Sequence, residues 1–165
     1  MKALTQITFA LICAGSIASA QIVPFEETGE YRIAKVVSGN LCYAALKSQS
    51  VAGKPMVYTY YETKIGQRWH VLGYGKDAEL EMPMVNITID IDGETTLARE
   101  TQTSDSDFMF PFENLEELQA YEALRDTGTL QTVTIAENGD KFELQLEPYR
   151  AALATLQDCL AEIKE

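Results

Sequence analysis

The side chains able to bond covalently, titrate near neutrality or hold a metal are few in this chain: Cys13, Cys42, Cys159, a single histidine, His70, and carboxylates gathered near two turns. No CxxC pair and no Cys/His cluster spaces them for redox or zinc chemistry. Cys42 and Cys159 stand far apart in the sequence and suit a disulfide in an oxidising compartment, the rival reading being two buried free thiols. Closing so long a loop contributes about 4–5 kcal/mol by chain entropy. His70 follows the only tryptophan, Trp69, in a stretch of strand character. Neighbours on a strand point to opposite faces, so one of the two belongs to the core and the other to the surface. A lone histidine makes no convincing zinc site, and without a nucleophile beside it no triad.

Paired carboxylates can run hydrolysis. Asp90, Asp92 and Glu94 surround an Asp-Gly turn, and Asp105 and Asp107 flank Ser106. A calcium loop centred on Gly93 would place Arg99 where a bidentate glutamate is required, so that pattern fails, leaving a looser Ca²⁺ site between the two loops or plain turn chemistry. Tyr58, Tyr60, Tyr61, Trp69 and Tyr74 form the remaining candidate. If their two strands pair, a face of amphipathic rings would suit carbohydrate or protein contact, or serve as ordinary cross-strand packing. Dinucleotide, phosphate-loop and zinc-protease patterns are absent, and no cofactor is expected.

The elements that must position these residues begin after a leader. Lys2, the apolar run "ITFALICAGSIA" and "ASA" before Gln21 read as a signal peptide over residues 1–20, cleaved between Ala20 and Gln21. Cys13 raises the alternative of a lipidated cysteine, against which stands the bulky Ile12 before it. The rest of the chain has no apolar run approaching the ~18 residues of a membrane span, so a periplasmic or secreted product without an integral membrane segment is expected. The 165 residues carry a net charge of −12, or −13 once Lys2 leaves with the leader. Such a surface repels phosphate backbones and anionic headgroups, which excludes nucleic acid and favours a basic partner, or simply keeps the protein dissolved.

Residues 21–30 read as an extended arm and residues 31–165 as one β-rich domain. "YRIAKVV" and "LCYAALKSQ" flank the turn "SGN", with Cys42, Ala44 and Leu46 on one face. "MVYTYYE" and "QRWHVLGYG" continue a meander, and "VNITIDIDGETTLARE" is a hairpin about Asp92-Gly93. After the short apolar segment "FMFPF", Asn114 and Glu117 provide a capping pair for a helix that Gly128 ends, with Leu115, Leu118, Tyr121/Glu122 and Leu124/Arg125 as its stripe. "TLQTVTIA" and "KFELQLE" make a last hairpin, and Pro148 opens a terminal helix carrying Cys159. This is a mainly β, α+β pattern: an antiparallel sandwich or curled sheet of about eight or nine short strands with two packed helices, the second C-terminal.

The succession "ITIDIDGETTLARE", "FMFPFENLEELQAYEALRDTGTLQTVTIAENGDKFELQLEPYRAAL" and the cysteine closing the last helix resembles the invasion-associated locus B family of exported alphaproteobacterial proteins, mainly over the C-terminal half. The chain departs from that family in lacking further cysteines in its first half and near its central strands. The resemblance implies a periplasmic β-rich domain tied to envelope or host-interaction biology, with no catalytic residue to carry over. Two functions are therefore expected in turn: a non-enzymatic binding domain whose partner is a protein or envelope component, such as a basic protein, and a carboxylate-dependent hydrolase of envelope polymers, which needs two acids facing one cleft.

Overall fold

The computed structural model describes residues 21–47, 49–51, 53–74, 83–104 and 107–163. The expected leader with Cys13, its cleavage site and Asp105 lie outside the described residues. Among the described residues eleven strands form one antiparallel sheet: β1 (Ile22–Thr28), β2 (Tyr31–Val36), β3 (Leu41–Leu46), β4 (Gln49–Val51), β5 (Lys54–Thr63), β6 (Arg68–Tyr74), β7 (Met84–Ile91), β8 (Glu94–Ser104), β9 (Asp107–Met109), β10 (Leu130–Ile135) and β11 (Lys141–Gln145). Their spatial order is β1–β2–β3–β5–β6–β9–β8–β7–β10–β11, with β4 beside β5. Two helices, α1 (Leu115–Thr127) and α2 (Leu146–Ala161), complete the fold. The β-rich architecture matches the sequence expectation. The two strands beyond those expected are β4 and the stretch read as an arm, which is extended and hydrogen-bonded along β2 as β1.

Alternation of apolar and polar side chains decides which face turns inward. Cys42, Ala44 and Leu46 of β3 are buried while Leu41, Tyr43 and Ala45 are half-exposed. The register carries that face across the sheet, since Ala44 lies opposite Tyr60, Tyr60 opposite His70, and Tyr58 opposite Leu72. On the far side, where Val85, Ile87, Ile89 and Ile91 of β7 are buried, Ile87 and Ile89 lie opposite Ile135 and Val133 of β10, and Val133 lies opposite Phe142 of β11. Fully burying such side chains contributes about 1.5–3 kcal/mol each. The sheet curls around this core, and α2 follows directly from β11 yet packs on β1, β2 and β3, at the opposite edge.

One covalent bond fixes that closure. Cys42 on β3 and Cys159 on α2 form a disulfide with Cα atoms 6.3 Å apart, across 117 positions of sequence. The helix begins at Leu146, two residues before Pro148, because proline is tolerated within a first turn, where no intrahelical amide bond is lost. Leu146, expected at the end of the strand face, is buried as the first helical residue instead.

The turns follow local chemistry. Asp92 and Gly93 both have positive φ, 51° and 86°, and join β7 to β8 as a two-residue hairpin turn. Asn114 Oδ1 accepts from Glu117 N–H at 2.9 Å, the expected cap of α1, while the Glu117 carboxylate accepts the amide of Glu113, one residue earlier than a reciprocal box. Gly128 ends α1 in extended backbone, φ −72°, with its N–H on the Leu124 carbonyl. Glycine is needed there for space: a Cβ would lie 2.6 Å from the Ile91 side chain and 3.0 Å from the Leu124 carbonyl oxygen.

Candidate functional site

Four elements converge at one end of the curled sheet. The inward face of β5 presents Tyr58, Tyr60 and Glu62 at period two, and β6 presents Arg68 and His70 opposite Glu62 and Tyr60. Helix α1 contributes Tyr121 and Arg125, then Glu122 and Asp126, each pair one turn apart and so on one side. Helix α2 contributes Tyr149, Leu153 and Gln157 at spacings of four.

The centre is Arg125, 1% exposed. Its Nη1 donates to the Tyr58 hydroxyl at 2.7 Å and lies 2.9 Å from His70 Nδ1, and Tyr58 Oη is 2.6 Å from the same Nδ1. A guanidinium only donates, so Nδ1 is the acceptor and the imidazole proton sits on Nε2. That nitrogen faces Glu122 Oε1 at 3.6 Å, and the other Glu122 oxygen accepts from Arg68. The Arg125 cation lies over the rings of Tyr149, at 3.7 Å, Tyr58, at 5.2 Å, and Tyr121, at 5.3 Å. A desolvated cation–π contact is worth about 2 kcal/mol, which helps explain how a charge survives in this core. Nε and Nη2 of Arg125 have no hydrogen-bond partner among the described residues.

Burial dominates the protonation states. It pushes the Tyr58, Tyr121 and Tyr149 hydroxyls up, so they stay neutral donors. It drives His70 well below its ordinary value, helped by the positive charges of Arg125 and Arg68. It also raises the Glu122 carboxyl, against the pull of Arg68 and Arg125 and with repulsion from Glu62 and Asp126.

Beside this core opens a cleft of about 180 Å³. It is smaller than the roughly 300–1,000 Å³ of clefts that bury drug-sized ligands. Tyr60 and Tyr149 wall it, Glu62, Glu122 and Asp126 line it with carboxylate, and Arg68 and Arg125 with guanidinium. Glu62 Oε2 accepts from the Tyr60 hydroxyl at 3.0 Å and from Gln157 Nε2 at 2.9 Å. The cleft thus offers separate acceptors and donors to a small polar group.

The residues singled out by sequence fall into three places. Cys42 and Cys159 are joined. The tyrosine set divides, correcting its expectation as one surface: Tyr58, Tyr60 and Tyr74 are buried because they share strand parity with Met56 and Leu72, whereas Tyr61 and Trp69 pair on the outer face beside Tyr43. Tyr74 is tied to Asp140 at 2.7 Å, bridging β6 to the β10–β11 turn. His70 is the buried member of its pair with Trp69. Among the described residues, the expected acids Asp90, Asp92, Glu94 and Asp107 do not line this cleft. Asp90 accepts from Thr95, and Asp92 accepts from Thr129 N–H, the Thr129 hydroxyl and Leu130 N–H. Asp107 lies at the start of β9, opposite Gly73. Among the described residues no group of three or more His, Cys, Asp or Glu is placed to hold a metal ion.

Arg125, which the sequence places on the helix stripe jointly with Leu124 and to which it assigns no role, is the buried centre of the site. Leu124, adjacent to it on the expected stripe, is 46% exposed. The signal was the spacing of four from Tyr121, whose burial puts Arg125 and not Leu124 on the inward line. Among the described residues no helix is long and apolar enough to cross a membrane. No family model matches the chain, and no curated protein or solved structure matches it.

Proposed function

We propose that this protein is an exported, non-enzymatic interaction domain of the bacterial envelope that engages a basic protein, with the cleft between β5, β6, α1 and α2 as its contact point. The observation that carries the reading is the placement of Glu62, Glu122 and Asp126 around one small cleft that Arg125, buried beside them, also lines. The export signal, the strongly acidic composition and the resemblance to invasion-associated locus B proteins support the setting. Complementary charge steers association and makes it salt-dependent. The test is capture of envelope proteins on the immobilised native protein at low and high salt. Salt-sensitive retention of cationic proteins, reduced by Glu62→Gln with Asp126→Asn, is the expected result. Absent or salt-insensitive retention removes the reading.

One observation favours a second reading, hydrolysis of an envelope polymer. Glu122, raised by burial, and Glu62 line the same cleft, giving a proton donor and a second carboxylate. Release of soluble fragments from cell-wall polymer, abolished by Glu122→Gln, would establish it, and no release by the wild-type protein would end it.

A further inference from the structure

We propose that the cleft takes a ligand bearing a carboxylate and a cation a few bonds apart, the chemistry shared by a free cationic amino acid and by a chain ending in lysine or arginine. This rests on the cleft being the contact site. The first support is the orientation of Arg125. Its Nη1 is committed to Tyr58 and His70, neither of which lines the cleft, while Arg125 itself does. In a planar guanidinium the edge formed by Nε and Nη2 faces away from Nη1, and that edge is the fork that grips a carboxylate with two parallel bonds. Both nitrogens are buried without a partner, and an unsatisfied buried donor is costly, so an incoming carboxylate relieves a cost already present. They lie beneath the accessible surface, so entry requires the rim to part, and Asp126 and Gln157 on that rim are exposed.

The second support is the opposite wall. Arg68 is spent on Glu122, whereas among the described residues both hydrogen bonds to Glu62 fall on Oε2 and none on Oε1, and Asp126 also lines the cleft. Three carboxylates against two guanidinium groups leave the cleft one negative charge in excess. A purely anionic ligand meets that excess and a purely cationic one leaves the Arg125 fork unused. A ligand carrying both charges satisfies both walls, with Leu153 and the Tyr60 and Tyr149 rings covering its aliphatic part.

The experiment follows the Arg125 Nε–H resonance of the intact protein by NMR during titration. The probes are L-lysine, 1,5-diaminopentane, a short peptide ending in lysine and the same peptide with its terminus amidated. Saturable movement with L-lysine but not with the diamine is expected. Movement with the free-acid peptide and not its amide assigns the ligand to a chain end, and movement with L-lysine alone assigns it to the free amino acid. Glu62→Gln and Asp126→Asn, which leave the buried cluster in place, should each weaken L-lysine about tenfold. Equal response to the diamine, or no response of Arg125 to any probe, overturns the proposal. Capture of basic proteins that persists while every probe fails sinks this inference alone. L-lysine binding without protein capture sinks the interaction reading alone.

Discussion

Arg125 Nη1 lies 2.9 Å from His70 Nδ1, so a permanent cation and the chain's one titratable imidazole share a contact inside the core. The contact holds only while the imidazole is neutral, because a proton on Nδ1 would face the guanidinium. Tyr58, Arg68 and Glu122 also approach the ring, and Tyr60, Phe110, Phe112 and Tyr121 pack around it.

The pH dependence of stability follows from those neighbours. The folded His70 value lies well below 6.5, so on acidification the unfolded chain binds the proton first. The contribution is fully present above the unfolded value and is lost as pH falls from there toward the folded one, at up to about 1.4 kcal/mol per pH unit. Glu122, raised in the fold, acts with the opposite sign, its contribution being lost as pH rises through its folded value. Urea denaturation from pH 7.5 downward should therefore show a slope near pH 6 that His70→Gln removes.

Replacing Arg125 separates charge from volume. Arg125→Ala forfeits the ring contacts and leaves a cavity, and a loss of about 3–5 kcal/mol is expected, as for other large buried side chains. Arg125→Met keeps much of the volume without a buried cation and should cost markedly less, in line with apolar replacements of buried ionic groups. In the same variant the His70 titration, followed by its ring resonances, should move upward, since one of the charges depressing it is gone. An unmoved His70 would contradict the coupling.

The Cys42–Cys159 bond should carry a large share of the stability. Cys159→Ser is expected to lower unfolding stability by about 2–5 kcal/mol. Non-reducing mass analysis checks the premise directly, because two free thiols would mean the bond is not formed.

Helix α2 has no basic residue in its last turn, yet its C-terminal end is met by Lys35 of β2 and by Lys64 of the turn after β5. Lys64 Nζ donates to the Ile163 carbonyl at 2.6 Å and Lys35 Nζ to the Glu162 carbonyl at 3.5 Å. Lys64→Met should cost about 0.5–1.5 kcal/mol, the worth of one such bond. Hydrogen exchange should quicken at residues 159–163 and not in β7, which distinguishes local fraying from general destabilisation.

Much of the fold was legible one element at a time. Alternation placed Cys42 with Ala44 and Leu46 on the inward face, Asp92-Gly93 fixed a turn by its backbone preference, and Asn114 marked a helix start. Each depends on neighbours within a few residues, where period and propensity operate. The pairing of Cys42 with Cys159 was one of two readings open from sequence, two buried free thiols being the other, and the structure joins them.

What only the tertiary structure decided is which separated residues meet. Tyr58, His70, Arg125 and Tyr149 come from four elements, and nothing in their spacing states that a curled sheet brings them within contact. Helical spacing puts Arg125 on the stripe of α1 with Leu124 without saying which of the two is buried, and burying a charge is costly in general. The cost is met here by the Tyr121 ring of α1 itself and by the Tyr58 and Tyr149 rings and two acceptors from outside that helix, and the outside share exists only after the sheet has curled and α2 has closed over it.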